Sequence, residues 1–289
     1  MPRARTRKVQ ARIDHAVDWL EENQPATVRS VCYQLFVHGH IRDMSKSQTN
    51  GVSRLLVELR EQGVIPWGWI VDETREVESA GTWDSPEQII ESAVKGYRRD
   101  NWQDQPVRVQ VWSEKGTVRG VLKPVLDELG VDFVVAHGYQ SATQMKATAR
   151  ESQLSTKPLH IIYVGDFDPS GMHMSEADIP TRLARYDGVA NIERVALAQS
   201  DTKRGLPTFS ADDKASTDTK KGDSRYDWFV TRYGKTCCEL DAMNPNELRE
   251  RVRYCIEELM EPETWSRSLM IERAEVESMG DFLKKWHAR

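Results

Sequence analysis

The sequence predicts an α/β fold: a small helical unit at the N-terminus, a parallel-sheet domain behind it, and a helical C-terminal extension. Three observations carry that expectation. Apolar residues recur at helical spacing three times within the first 60 positions. From Val107 onward, short apolar runs alternate with helical stretches, the order that builds a parallel sheet with right-handed crossovers. Carboxylates stand directly after two of those runs. At 289 residues the chain is long enough for two domains, and its natural divisions are residues 1–76, a connection at 77–106, an α/β domain at 107–200 and an extension at 201–289.

In the N-terminal unit, Val9, Ile13, Val17 and Leu20 mark an amphipathic helix over residues 8–21, broken at Asn23-Gln24-Pro25. Thr27 is placed to cap a second helix with the stripe Val28, Val31, Cys32, Leu35 and Phe36, which ends near Gly39. A third helix carries Val52, Leu55, Leu56 and Leu59 and stops at Gly63. Val64 to Val71 then reads as a short strand or hairpin edge. Three short helices and a strand is the order of a winged-helix module, a helix-turn-helix relative that docks on DNA; three-helix units also serve as protein docking pieces or structural caps. The polar connection holds one helix, from Pro86 to Tyr97.

In the next domain, Val107, Val109 and Val111 alternate into Ser113-Glu114-Lys115-Gly116, and Val118, Val121, Leu122, Val125 and Leu129 mark a helix. Asp132 to Ala136 is strand-like, residues 137–141 are a loop, and Ala142 to Glu151 is a helix. Leu159 to Val164 is a buried strand, followed by Gly165-Asp166-Phe167-Asp168-Pro169-Ser170-Gly171, whose Pro-Ser-Gly supplies a turn and a helix start. Met174 to Tyr186 reads as helix and Ile192 to Leu197 as a further strand. Residues 200–226, rich in Asp, Lys, Ser and Thr, read as a long mobile loop. Leu248, Val252, Cys255, Ile256 and Leu259 mark a helix over 247–260, and the tail from Thr264 is helical.

Charge is unevenly spread. The chain carries a net charge of -5, yet its first 60 residues carry ten Lys and Arg against six Asp and Glu, which leaves about -9 for the rest. The basic end is therefore the natural candidate for a polyanion, and Lys46 and Arg54 in its third helix are candidate DNA contacts. No apolar run approaches the ~20 residues of a membrane span, and the basic N-terminus lacks the apolar core of a secretion signal. Cys32, Cys237, Cys238 and Cys255 form no C-x-x-C pair and no zinc spacing with the seven histidines, so buried thiols in a reducing, cytoplasmic setting are expected.

Glu114 follows one strand, and Asp166 and Asp168 follow another. Ligands of open parallel sheets gather where strands end, so neighbouring strands would bring the three carboxylates together in a cluster that requires a cation. Magnesium is the expected ion, since it takes oxygen ligands from one or two carboxylates, waters and substrate phosphates. Lys115 is placed to offset phosphate charge. The plainer alternative makes Asp166 and Asp168 solvated loop acids that cap the next helix; Glu114 at a second strand end favours the metal site. His38-Gly39-His40 suits a solvated or capping role better than a metal, His173 stands close enough to reach the site, and Trp67 and Trp69 are expected to pack rather than stack on DNA.

Val111-Trp112-Ser113-Glu114-Lys115-Gly116, Gly138-Tyr139-Gln140-Ser141 and Asp166-Phe167-Asp168-Pro169-Ser170-Gly171 together resemble a Toprim domain of the kind found in the A subunit of topoisomerase VI and its meiotic double-strand-break relatives. The resemblance spans roughly residues 10–200 and implies a winged-helix domain ahead of the Toprim domain. It assigns magnesium binding to Glu114, Asp166 and Asp168, with Glu114 also acting as general acid or base. Arg29-Ser30-Val31-Cys32-Tyr33 is similar to the family's R-x-x-Y-Y pattern, with Tyr33 at the nucleophile and Cys32 in place of the first tyrosine. Helical geometry independently sets Tyr33 about 130° from the centre of the apolar stripe, outside the core, with Arg29 one turn earlier to lower its pKa or hold a phosphate.

The function this implies is magnesium-dependent cleavage of double-stranded DNA through a 5′-phosphotyrosyl link. The family works as a homodimer in which one subunit's tyrosine meets the other's metal site. No G-x-x-x-x-G-K-[ST] segment is present, so ATP-driven strand passage would need a separate GHKL-type ATPase subunit. Two further readings stand beside it: a Toprim nuclease that cuts with water, and a DNA-binding or assembly protein without turnover.

Overall fold

The computed structural model describes residues 6–71, 82–136, 142–213 and 224–287. The expected loop at 137–141, with its Gly138-Tyr139-Gln140-Ser141 motif, lies outside the described residues, as do 72–81 and 214–223.

The N-terminal unit is built from α1 (Arg7–Asn23), β1 (Ala26–Thr27), α2 (Val28–Val37), α3 (Lys46–Glu61) and β2 (Ile70–Val71). Thr27 caps α2 as its sequence position requires, its hydroxyl accepting from Ser30 N at 3.0 Å. Leu20, Val31, Cys32, Leu35, Val52, Leu56 and Leu59 interlock in one core, so the helical stripes read from spacing are the buried ones. The expected strand at 64–71 is largely absent. Gly63 takes a positive φ of 71° and Val64 N bonds back to Leu59 O at 2.9 Å, which makes Val64 part of the capping turn of α3. Pro66 has no N–H to lend to a ladder, and Trp67–Trp69 coil into one 3-10 turn. Only Ile70–Val71 is extended, and it pairs in parallel with Ala26–Thr27.

The second unit runs α4 (Pro86–Gly96), β3 (Arg108–Ser113), α5 (Thr117–Leu129), β4 (Asp132–Val135), α6 (Ala142–Leu154), β5 (Leu159–Val164), α7 (Pro169–His173), a π-helical turn at Met174–Asp178, α8 (Ile179–Arg185) and β6 (Asn191–Ala196). The four strands β3 to β6 form an all-parallel sheet in the order β4-β3-β5-β6, which makes the fold α/β. Both faces are covered. Val111, Ile162 and Val164 pack towards α5, and Trp112, Ile161 and Tyr163 towards α6 and α8. The chain leaves β3 to one side for β4 and returns on the other side as β5, so the sheet has its topological switch point between β3 and β5.

The C-terminal segment completes this sheet domain instead of trailing from it. It contains β7 (Thr208–Ser210), α9 (Ser224–Tyr233), β8 (Thr236–Cys238), α10 (Pro245–Glu257) and α11 (Pro262–His287). Leu248, Val252 and Ile256 of α10 share a core with α5. Residues 201–213, expected within a mobile loop, are ordered by a 3-10 turn and by β7 pairing with β8. Part of the polar composition that suggested mobility serves an ion pair on the buried Asp201: half-buried Arg251 donates to both of its oxygens at 3.0 and 2.7 Å. Arg249 of α10 fastens the N-terminal unit to this body, donating to the carbonyls of Asn23, Gln24 and Pro25 and to Val121 O of α5, each at 3.1 Å. Among the described residues, no helix is long and apolar enough to cross a membrane.

Candidate functional site

The site stands at the switch point. β3 and β5 are paired in register up to Ser113 and Val164, so Glu114 and the Asp166-Phe167-Asp168 loop emerge side by side at the same sheet edge. The loop is held from several directions. Asp168 caps α7, its Oδ1 accepting from Gly171 N at 2.7 Å. A Cβ on Gly171 would lie 2.3 Å from Asp166 O, so only glycine lets α7 start this close to the loop. Phe167 exchanges two backbone hydrogen bonds of 2.9 Å with Cys238, tying the acidic loop to β8. Arg194 of β6 reaches beneath, donating to the carbonyls of Gly165, Asp166, Gly171 and Leu197 and to the Ser175 hydroxyl.

Electrostatics follow from this crowding. Burial, then the charges of Asp166 and Asp168, push the Glu114 carboxyl up to about 7. Burial and Asp166 also hold Asp168 well above the ordinary aspartate range. Lys115 Nζ sits 2.8 Å from Asp166 Oδ1 and 3.1 Å from Asp241 Oδ2. Burial opposes the charge on Lys115, but Asp166 and Asp241 outweigh it and hold its pKa above the usual lysine value. Leu240 N donates a further 2.7 Å bond to Asp166 Oδ1.

Two acids absent from the sequence reading thus enter the site from the turn after β8. Asp241 accepts from Thr27 Oγ1 at 2.6 Å at the start of α2, and Glu239 pairs with Arg29 through both carboxylate oxygens. Thr27, Val28, Arg29, Glu114, Lys115, Asp166, Glu239 and Asp241 all line one cavity of about 560 Å³. Arg29, Lys115, Glu114 and Asp166 are therefore brought together within a single chain.

The donor set fits magnesium by chemistry: oxygen ligands only, with two carboxyls raised by burial and then by neighbouring negative charge, which a divalent cation would offset. Lys115 already rests its ammonium on Asp166, so the place selects a cation. Among the described residues, however, no three acid, histidine or cysteine side chains gather closely enough to hold a metal ion as they stand.

Tyr33 departs from its expectation. It was expected outside the core and is 5% exposed, packed in the same cluster as Leu240, Ala242 and Met243. The single-stripe argument fails because α2 is covered on two sides, by its own unit and by the turn after β8. Arg29 lies 5.8 Å from the Tyr33 ring and is committed to Glu239; burial and the Glu239 charge raise the phenol pKa further than Arg29 lowers it. Cys32 is buried in the N-terminal core, as its place in the stripe required. Lys46 and Arg54 are exposed on α3 and do not line the acidic cavity.

The remaining candidates are placed as follows. His38 and His40 meet His15 of α1 with tilted rings, at centroid distances of 4.4 and 4.8 Å from it. His173 meets the Trp228 ring edge-on at 5.5 Å. Trp69 packs on the N-terminal core, whereas Trp67 lies exposed beneath the Arg60 guanidinium, against the expectation of packing. Arg194 had one legible signal, a charge placed at the i+2 position between Ile192 and Ala196, on the same face of a strand as those apolar residues. Glu239 and Asp241 alternate with Cys238, Leu240 and Ala242, but nothing in the sequence joins them to a loop some 70 residues earlier.

No protein-family model matches the chain, and no curated protein is significantly similar to it in sequence.

Proposed function

We propose that this chain cleaves DNA by metal-dependent phosphodiester chemistry, as a Toprim-type protein similar to the A subunit of topoisomerase VI, with an N-terminal winged-helix-like unit. The observation that carries the proposal is the convergence of Glu114, Asp166 and Asp168 at a sheet switch point beside Arg29 and Lys115. Bound by the three carboxylates, Mg²⁺ would supply charge neutralisation for a phosphodiester and its transition state. The resemblance also gives Glu114 a part in giving or taking a proton at a reacting oxygen. Arg194 and Gly171 fix the loop that carries both aspartates. Lys46 and Arg54, exposed on the basic unit, offer charge to the DNA backbone. A homodimer and a separate GHKL-type ATPase subunit are further parts of the proposal that only the resemblance supports.

In the tyrosine route, Tyr33 Oη forms a bond to phosphorus, the bond from phosphorus to O3′ breaks, and the 3′ oxygen leaves with a proton. The phenol proton passes to a base as the attack proceeds. Tyr33 must first emerge from beneath the turn after β8. That burial favours a second reading in which water attacks and a free 5′ phosphate results.

One experiment separates them. DNA incubated with Mg²⁺ and quenched with denaturant should carry protein on its 5′ ends with wild type and none with Tyr33→Phe. Cleavage by Tyr33→Phe at the wild-type rate assigns the attack to water. A wild type that binds DNA and never cuts it returns the chain to a binding or assembly role.

A further inference from the structure

We infer that Arg29, Lys115 and the N-terminus of α2 form a binding site for two phosphates of a DNA strand, which Glu239 and Asp241 occupy as internal stand-ins in the free chain. The inference rests on the proposal that DNA is the substrate, and it concerns how DNA is admitted. In the free chain both cations and the capping hydroxyl already hold a carboxylate. Asp241 sits at the start of a ten-residue helix, accepts from the capping Thr27 hydroxyl at 2.6 Å, and meets Lys115 Nζ at 3.1 Å. Glu239 takes the Arg29 guanidinium in the two-pronged manner in which arginine also takes a phosphate.

The two acids are separated by Leu240 alone, so one short turn neutralises both cations that line the cavity beside Glu114 and Asp166. Lys115 is shared: it bridges Asp241 to Asp166, and a phosphate that captured Lys115 would take it away from an expected metal ligand. The same turn supplies Leu240 and Ala242, with Met243 after it, to the cluster that buries Tyr33. Phosphates that displaced the two carboxylates would therefore load the cations and loosen the cover over Tyr33 together.

The test is binding of a labelled DNA duplex by fluorescence anisotropy, in EDTA so that nothing is cut, across a salt series. Glu239→Gln with Asp241→Asn is expected to bind about tenfold tighter at about 0.1 M salt, with a salt slope steeper by about 2, since each new phosphate contact adds about 0.9. Glu277→Gln with Asp281→Asn on α11 makes the same change in net charge away from the cavity and is expected to shift affinity less than about twofold. Neutralising Glu239 leaves Arg29 without its partner, so folding is checked by urea unfolding. Adding Arg29→Gln removes both partners and should cancel about one unit of the gained slope. A folded Glu239→Gln, Asp241→Asn protein that binds with wild-type affinity and slope overturns the inference, as does retention of the whole gain without Arg29. Failure of the cleavage proposal is read separately: a wild type that never cuts DNA in Mg²⁺ leaves the binding result standing.

Discussion

Glu114→Gln should make the metal-free protein more stable at neutral pH, although it removes a residue of the proposed site. The carboxyl is raised from 4.5 to about 7 by burial and by the two aspartates. At about 1.4 kcal/mol per unit the shift corresponds to about 3 kcal/mol, and partial exposure of Glu114 reduces this to about 1–2 kcal/mol. The sign follows from proton uptake. Between the unfolded value and about 7 the folded state holds the proton that the unfolded state has released, so stability falls as pH rises. The penalty is complete above about 7 and absent below the unfolded value, and glutamine never bears it. Urea unfolding in EDTA should therefore show a gain of about 1–2 kcal/mol at about pH 8 and little difference at about pH 5. Mg²⁺ should stabilise wild type at about pH 8 and the variant less. A variant less stable than wild type at both pH values, or equally stabilised at both, would refute the account of a Glu114 carboxyl raised by burial and by the two aspartates.

Three other substitutions probe the frame around the site. Gly171→Ala forces a methyl against Asp166 O and should cost about 2–3 kcal/mol in urea unfolding, with weaker binding of Mn²⁺ used as a magnesium probe. Arg249→Leu strips four backbone carbonyls of their donor and should cost about 2–4 kcal/mol, exposing the Asn23-Gln24-Pro25 turn to limited proteolysis. Arg194→Met removes a cation that lowers the Glu114 pKa, so the Glu114 midpoint, followed by NMR, should rise above about 7.

Local periodicity made most of the fold legible. The strand Leu159–Val164 and the onset of α2 after Thr27 follow directly from apolar spacing and capping, and Glu114 with Asp166 and Asp168 could be joined because parallel strands end at one edge. What was not legible came from partners distant in the chain. The turn after β8 covers the second side of α2, so Tyr33 is buried although its own helix gives no reason for it. Asp201 looked like a loop residue until Arg251 met it, and Glu239 and Asp241 had no meaning before Arg29 and Lys115 stood beside them. Val64 and Ile65 failed as a strand because the helix before them claims their backbone.

The most direct test of the central claim is Mg²⁺-dependent cutting of supercoiled plasmid by wild type and by the Glu114→Gln, Asp166→Asn and Asp168→Asn proteins. Linear or nicked product from wild type, lost in EDTA and reduced at least about 100-fold by each substitution in a protein that still binds DNA, is the predicted result. Cutting by the substituted proteins at the wild-type rate would contradict it.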